Sequence, residues 1–318
     1  MAANPSSRSG TLNLLAGSII NSAGGANGND GRIHFRVPRL ASNNGVLIQS
    51  LDGDLNGFQR LDIEGYQRYA SLSELNTAYT EASNFMSNDV LGALGLGTRF
   101  DTNTLQRVHL RPGIDMTSAT DLNNNSEIDF ATTTYTNQLT GAQESGVFTL
   151  RSGGNLNINA SIQDGITSEV VSLPFPGAPS VNVERLLDKD SWSYRLIAGA
   201  DLTAARTLQV VDGGGDLQIA TGRKLRTGTG DIDIAVGGQL RMASDAAIYT
   251  AGRPAQINPR SSLSADLGGI DSLDLFLLPG IEFPVSGGDV SIAATQGLEA
   301  RFDSIVSAGW LHRIGCVC

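Results

Sequence analysis

One stretch of this chain places oxygen-bearing side chains at the spacing of a cation loop. From residue 121 to residue 129 the sequence runs DLNNNSEID, which puts Asp121, Asn123, Asn125 and Asp129 at the first, third, fifth and ninth positions of an EF-hand-like calcium loop. Ile128 fits the apolar eighth position. Such a set would surround a hard cation with carboxylate and amide oxygens. Two decisive positions depart from the pattern. Ser126 stands where glycine makes the sharp turn, and Thr132 stands where a bidentate glutamate closes the site. The expectation is therefore an Asn-rich turn, with calcium the lesser alternative.

Other chemistry is thinner. Asp201, Asp216, Asp231 and Asp289 recur singly beside small residues, where an aspartate forms turns more readily than it serves as general acid or base. His34, His109 and His312 share no common spacing. Cys316 and Cys318 form a C-x-C pair at the end of the sequence with no evident base, and the preceding residues hold no thiol. The glycine run 213–215 lacks the Lys-Ser/Thr of a phosphate loop and opens a strand pattern instead of a helix. No catalytic residue and no cofactor is expected.

The elements that would carry such groups show in a short pattern written twice. VDGGGDLQIATGRKL aligns with RTGTGDIDIAVGGQL at an offset of fifteen, pairing Gly215 with Gly230, Asp216 with Asp231, Leu217 with Ile232, Ile219 with Ile234 and Leu225 with Leu240. Apolar and polar side chains alternate, as in strands with one buried face. A strand this short cannot bury its apolar face alone, so the two copies are expected to stack on one another in a solenoid. Related patterns occur at 10–17, 148–162 and 288–293. Further strands are expected at 33–37, 46–48, 61–63, 108–110 and 114–116, with Arg111-Pro112-Gly113 turning between the last two, and again over 192–208.

Three stretches break the pattern. Ser71 and Glu74 have capping-box spacing, and Leu72, Leu75, Tyr79, Ala82 and Met86 recur at helical intervals, so a helix is expected over 71–94, packed on the side of the stack. Residues 171–189 contain Pro174, Pro176 and Pro179, and 253–284 contain four prolines; both are expected to leave the stack as loops.

Composition supports a folded, strand-rich chain. Of 318 residues, 40% are hydrophobic and 17% charged, and 38 are glycine, which favours turns over long helices. The net charge is −10, and Lys189 and Lys224 are the only lysines, so there is no basic face for a phosphate backbone and no nucleic-acid partner is expected. The sequence shows neither a secretory signal at its start nor a run long enough to span a membrane.

Several motifs together resemble the filamentous haemagglutinin-like exoproteins of bacterial two-partner secretion systems. They are RPGID at 111–115, FTLRSGGNLNINASIQDG at 148–165, SWSYRLIAGADL at 191–202, RTGTGDIDIAVGGQL at 226–240, IYTAGRP at 248–254 and GGDVSIAA at 287–294, with EGYQRY at 64–69 similar to an insertion in that family. The resemblance covers most of residues 60–300. It implies a secreted or surface-exposed solenoid that carries an adhesive or toxic tip, exported through an outer-membrane transporter that recognises an N-terminal secretion domain. Neither that domain's motif nor a toxin module is evident here, so an internal or C-terminal fragment is expected.

The resulting expectation is an all-β, right-handed parallel β-helix with one helical excursion and two Pro-rich loops. Rungs would occupy 1–70, the helical excursion 71–95, further rungs 96–300 with insertions at 171–190 and 253–284, and a tail 301–318. The expected function is a non-catalytic structural or interaction segment of an adhesin-like protein, secreted or on the cell surface. Its partner would be a glycan or protein on a host or neighbouring cell, and the transporter only if the full-length protein carries a secretion domain. The alternatives are a carbohydrate-active β-helix enzyme, which needs ionisable side chains gathered in one lateral groove, and a truncated fragment without a role of its own.

Overall fold

Short strands with one apolar face need neighbours above and below, and the chain supplies them by winding. The computed structural model describes residues 10–26, 28–172, 180–254, 284–301 and 305–307. Six strands come first: β1 (Leu12–Leu14), β2 (Ile19–Asn21), β3 (Gly31–Pro38), β4 (Ile48–Leu51), β5 (Asp54–Asn56) and β6 (Phe58–Tyr69). A 3-10 turn at Leu72–Glu74 leads into α1 (Leu75–Met86), and α2 (Val90–Ala93), α3 (Leu96–Arg99) and α4 (Thr102–Leu105) follow. The next strands are β7 (Val108–Ser118), β8 (Leu122–Asn124) and β9 (Ile128–Asp129), then the hairpin β10 (Tyr135–Thr136) and β11 (Gln143–Glu144). After β12 (Val147–Ser152), β13 (Leu156–Ile158) and β14 (Ile162–Gln163) comes a second hairpin, β15 (Ile166–Ser172) with β16 (Ser180–Leu186). Two turns without a hairpin between them consist of β17 (Ser193–Ala198), β18 (Leu217–Ile219), β19 (Lys224–Thr227), β20 (Ile232–Val236), β21 (Leu240–Met242) and β22 (Ala247–Thr250). Antiparallel β23 (Arg253–Pro254) and β24 (Pro284–Val285) precede β25 (Val290–Ala294), β26 (Leu298–Ala300) and β27 (Ile305–Ser307).

The fold is mostly β, and its long sheets are parallel. One curled sheet runs β25-β20-β17-β12-β7-β6-β3, a second β26-β21-β18-β13-β8, and a third β27-β22-β19-β14-β9. Successive strands therefore move from sheet to sheet and return one level on, as in a β-helix or solenoid. Like residues stack on like. Leu122, Leu156, Leu217, Leu240 and Leu298 are consecutive partners in the second sheet. Ile128, Ile162, Leu225, Ile248 and Val306 are consecutive partners in the third. On the first sheet the equivalent row is Ile114, Phe148, Tyr194, Ile232 and Val290. The N-terminal strands obey the same rule, β1, β2 and β3 pairing in order with β4, β5 and β6.

The stacking interval differs from the spacing of the tandem repeat. Leu217 and Ile232 lie on different sheets, whereas Leu217 pairs with Leu240 and Leu225 with Ile248. Bonds between those same levels, Asp216 with Gln239 and Arg226 with Tyr249, likewise join residues whose numbers differ by 23. A level has three faces, and the repeat spans two of them. Longer levels carry insertions, so Leu122 pairs with Leu156, and the flanking Asn123–Asn157 bond closes an interval of 34.

Other expectations change too. Residues 108–118 form one strand, with no turn at Arg111-Pro112-Gly113. Pairing with β12 begins only at Gly113, so on that side the missing N–H of Pro112 removes no ladder bond. Residues 171–189 are not simply a loop, because β15 and β16 pair along their length; 173–179 lie outside the described residues. Of 253–284 only the clamp formed by β23 and β24 is described. Strand structure over 192–208 is confined to β17, and β27 carries the stack into the segment expected to be tail. His312, Cys316 and Cys318 lie outside the described residues.

The helical excursion is shorter than expected and breaks into turns after Met86. Its start is capped by the two residues with capping-box spacing, but each bond falls one residue away from the reciprocal box: Ser71 Oγ accepts from Ser73 N–H at 3.1 Å, and Glu74 reaches back to accept from Ala70 N–H at 3.0 Å. Ala78, Ala82, Phe85 and Met86 share its buried face and join the main core. Tyr79 meets Phe130 edge-on at 5.9 Å, and Phe130 stacks on Trp192 at 4.3 Å, so helix and strands share one interior.

Phe85 fits because Gly65 has no side chain. A Cβ there would lie 2.5 Å from Phe85 Cζ and 3.0 Å from Val46 Cγ1. Gly65→Ala is expected to destabilise the chain by about 1–3 kcal/mol through overpacking. A lowered thermal unfolding midpoint is the predicted result, and an unchanged midpoint contradicts this packing.

Candidate functional site

The calcium-spaced residues fall on strands and corners of the second and third sheets, where they stack instead of wrapping a cation. Asp121 Oδ1 accepts from Asn155 N–H at 2.8 Å. Asn123 and Asn125 accept from the side-chain amides of Asn157 and Asn159, both at 2.8 Å, and Asp129 accepts from Gln163 Nε2 at 3.1 Å. Each of these bonds reaches the next level of the stack. Among the described residues no group of three or more His, Cys, Asp or Glu side chains is arranged to hold a metal.

The repeated Gly-Asp corner has a structural role of the same kind. Asp121 caps Asn155, Asn155 Oδ1 accepts from Asp216 N–H at 2.9 Å, and Asp216 Oδ1 accepts from Gln239 N–H at 2.8 Å. Each capped residue directly precedes a leucine of the stacked row. The neighbouring glycine makes room for the carboxylate, since a Cβ on Gly238 would sit 2.2 Å from Asp216 Oδ1.

Charged chemistry gathers elsewhere, on the other face of the curled sheet. Ile33, Phe35, Leu61, Ile63, Ile114 and Ile232 enter the core, so the alternate residues Arg32, His34, Arg36, Asp62, Glu64, Asp115 and Asp233 share the opposite face. Curling brings distant strands together there. Arg32 on β3 lies 2.9 Å from Asp231 at the start of β20, although a flat sheet would separate those strands by roughly 24 Å.

Glu64 is the hub. Its carboxylate meets Arg36 at 2.9 Å, Arg195 at 2.8 Å and His34 at 2.9 Å, while Arg36 also reaches Asp115 at 2.5 Å. Asp62 meets Arg32 at 2.5 Å and Arg60 at 2.9 Å. Arg111 is buried; it donates from Nε to Ser145 O at 3.1 Å, and from Nη2 to Gly146 O at 2.7 Å and to Ser193 Oγ at 3.2 Å. Burial alone would push the acids up. For Glu64, Arg195 and Arg36 outweigh burial and hold the carboxyl well below its usual range. For Asp62, burial is outweighed by Arg111, Arg60 and Arg32, which bring it to about 2. Asp233 goes the other way, raised by burial and by neighbouring Asp231 against the pull of Arg195.

This face corrects the view of the carboxylates as isolated, because Asp231 joins the network through Arg32. Of the histidines, His34 belongs to it, and His109 pairs with Glu144 at 3.0 Å. The sequence signal was present in the strings RIHFR and RLDIE, where charges of opposite sign alternate with core residues. No family model matches the chain, and no curated protein and no solved structure matches it.

Because the folded Asp62 carboxyl lies below its ordinary value near 3.8, its stabilisation is complete above that value and is lost as pH falls toward about 2. Asp62→Asn is therefore expected to lower the free energy of unfolding by about 2 kcal/mol at pH 7 and by far less at pH 2. Urea unfolding at the two pH values measures this; an equal deficit at both contradicts the assignment.

Proposed function

We propose that this chain is a non-catalytic structural and interaction segment, a run of rungs in the shaft of a secreted or cell-surface filamentous protein of the haemagglutinin-like kind. The observation that carries this reading is the stacked leucine row from Leu122 to Leu298, fed by one strand from each level. A core that grows by adding like levels has no fixed size, which is what a shaft requires. In this reading the levels wind right-handed, the hand that crossover connections between parallel strands strongly prefer. The motifs at 111–115, 148–165, 191–202 and 226–240 support the same assignment, since they fall on the stacked strands and their corners. The partner is a glycan or protein on a host or neighbouring cell, met by the ionic face or by the excursions. An outer-membrane transporter enters only if the full-length protein carries a secretion domain.

One observation favours a second reading, a carbohydrate-active β-helix enzyme: Asp62, Glu64, Asp115 and Asp231 gather on one concave face. It weighs less because Asp62 and Glu64 are held ionised by guanidiniums and supply no proton near neutral pH. Asp233 is raised, but its neighbour Asp231 is tied to Arg32.

Antibodies against the isolated chain test the proposal on intact cells of the source bacterium. Surface labelling without permeabilisation is the expected result, with no release of reducing ends from a panel of polysaccharides. Labelling only after permeabilisation contradicts the shaft, and sugar release that disappears in Asp233→Asn favours the enzyme.

A further inference from the structure

The amino-terminal edge of the curled sheet opens into a cleft of about 440 Å³ that the ionic network leaves incompletely neutralised. Arg32, Arg60, Arg111 and Arg253 line it, together with Asp190, Asp231 and Ser191. Among the described residues three carboxylates answer these four guanidiniums. Asp62 is shared by Arg32 and Arg60, Asp231 meets Arg32, and Asp190 spans Arg60 at 3.4 Å and Arg253 at 2.5 Å. Arg111 is 3% exposed and bonds to serine hydroxyls and carbonyl oxygens; the charge of Asp62 acts on it, but that carboxylate is bonded to Arg32 and Arg60, and among the described residues Arg111 makes no direct ion pair. Arg253 Nε has no hydrogen-bond partner among the described residues. A buried donor left unpaired is costly, and this one belongs to a guanidinium where positive charge is in excess.

We propose that this cleft binds a single oxyanion, a carboxylate or phosphate group, held by Arg60, Arg111 and Arg253. Asp190, about a quarter exposed, occupies part of the same guanidinium surface and weakens the site by competing for it. Planar guanidiniums match either oxyanion through paired N–H donors. The site gives the ionic face of the proposed shaft a ligand chemistry, and it rests on that reading only for placing the ligand outside the cell.

The test is titration of the whole purified chain with sodium phosphate, sodium glucuronate and glucose at constant ionic strength set by chloride, followed by calorimetry and by the thermal unfolding midpoint. Saturable binding of phosphate or glucuronate but not glucose is expected. Preference for glucuronate assigns the site to a carboxylate-bearing sugar, and preference for phosphate to a phosphate group. Arg60→Gln and Arg253→Gln should each weaken binding at least tenfold, while Asp190→Asn should tighten it several-fold. Arg241→Gln, on another sheet, should leave it unchanged. Absence of saturable binding, or equal affinity in Arg253→Gln and the parent chain, overturns the proposal whether or not the chain is found on the cell surface.

Discussion

A three-residue strand such as β18 orders its backbone at a cost of roughly 3–6 kcal/mol, and its two inward side chains, Leu217 and Ile219, return about as much when fully buried. The strand alone therefore sits near balance. Partners on both sides decide the outcome, Leu156 on one and Leu240 on the other, with ladder bonds and corner caps each adding about 1 kcal/mol. The Gly-Asp corner serves that requirement: the carboxylate ties one level to the backbone of the next where the chain bends and strand pairing lapses. The asparagine pairs at 123/157 and 125/159 do the same along the outer side of the second sheet and its corner.

The first sheet adds a constraint that the other two lack. It takes up β3 and β6 and curls, so that its second face becomes a partly enclosed surface of its own. Lining that face with carboxylates alone would leave them unanswered at low dielectric, and lining it with leucines would remove it from water-borne partners. The chain interleaves arginines and acids across this face instead, and Glu64 is satisfied by three neighbours from two other strands. The balance is near neutral in the middle of the face and positive at its amino-terminal edge.

How much of this was legible follows from where each signal lies. Alternation within single strands gave the inward residues Leu156, Ile158, Leu217 and Ile219, and the turn preference of aspartate gave the corner role of Asp216. The Ser71 cap and the apolar face of α1 were equally local. The stacking interval was not, because Asp216-Leu217 and Asp231-Ile232 look alike while lying on different faces of one level; the third face, at Leu225 and Ile248, lacks the Gly-Asp signature. Pro112 and Gly113 carry strong turn preferences, yet β6 holds them extended. The ionic face was least legible, since partners as far apart in the chain as Glu64 and Arg195, or Arg32 and Asp231, meet only when the sheet curls.

If Leu217 stacks on Leu240 and the tandem repeat spans two faces of one level, then Gln218 and Arg241 are direct neighbours across two levels. Spin labels at Gln218→Cys and Arg241→Cys, with Cys316 and Cys318 replaced by serine, measure this most directly by dipolar broadening in frozen solution. Backbones at these positions are adjacent partners, roughly 5 Å apart, so strong broadening is predicted. Labels at Gln218→Cys and Asp233→Cys, which occupy matching places in the two copies of the repeat but lie on different sheets, should broaden far less. Strong broadening for the second pair and none for the first would contradict the account.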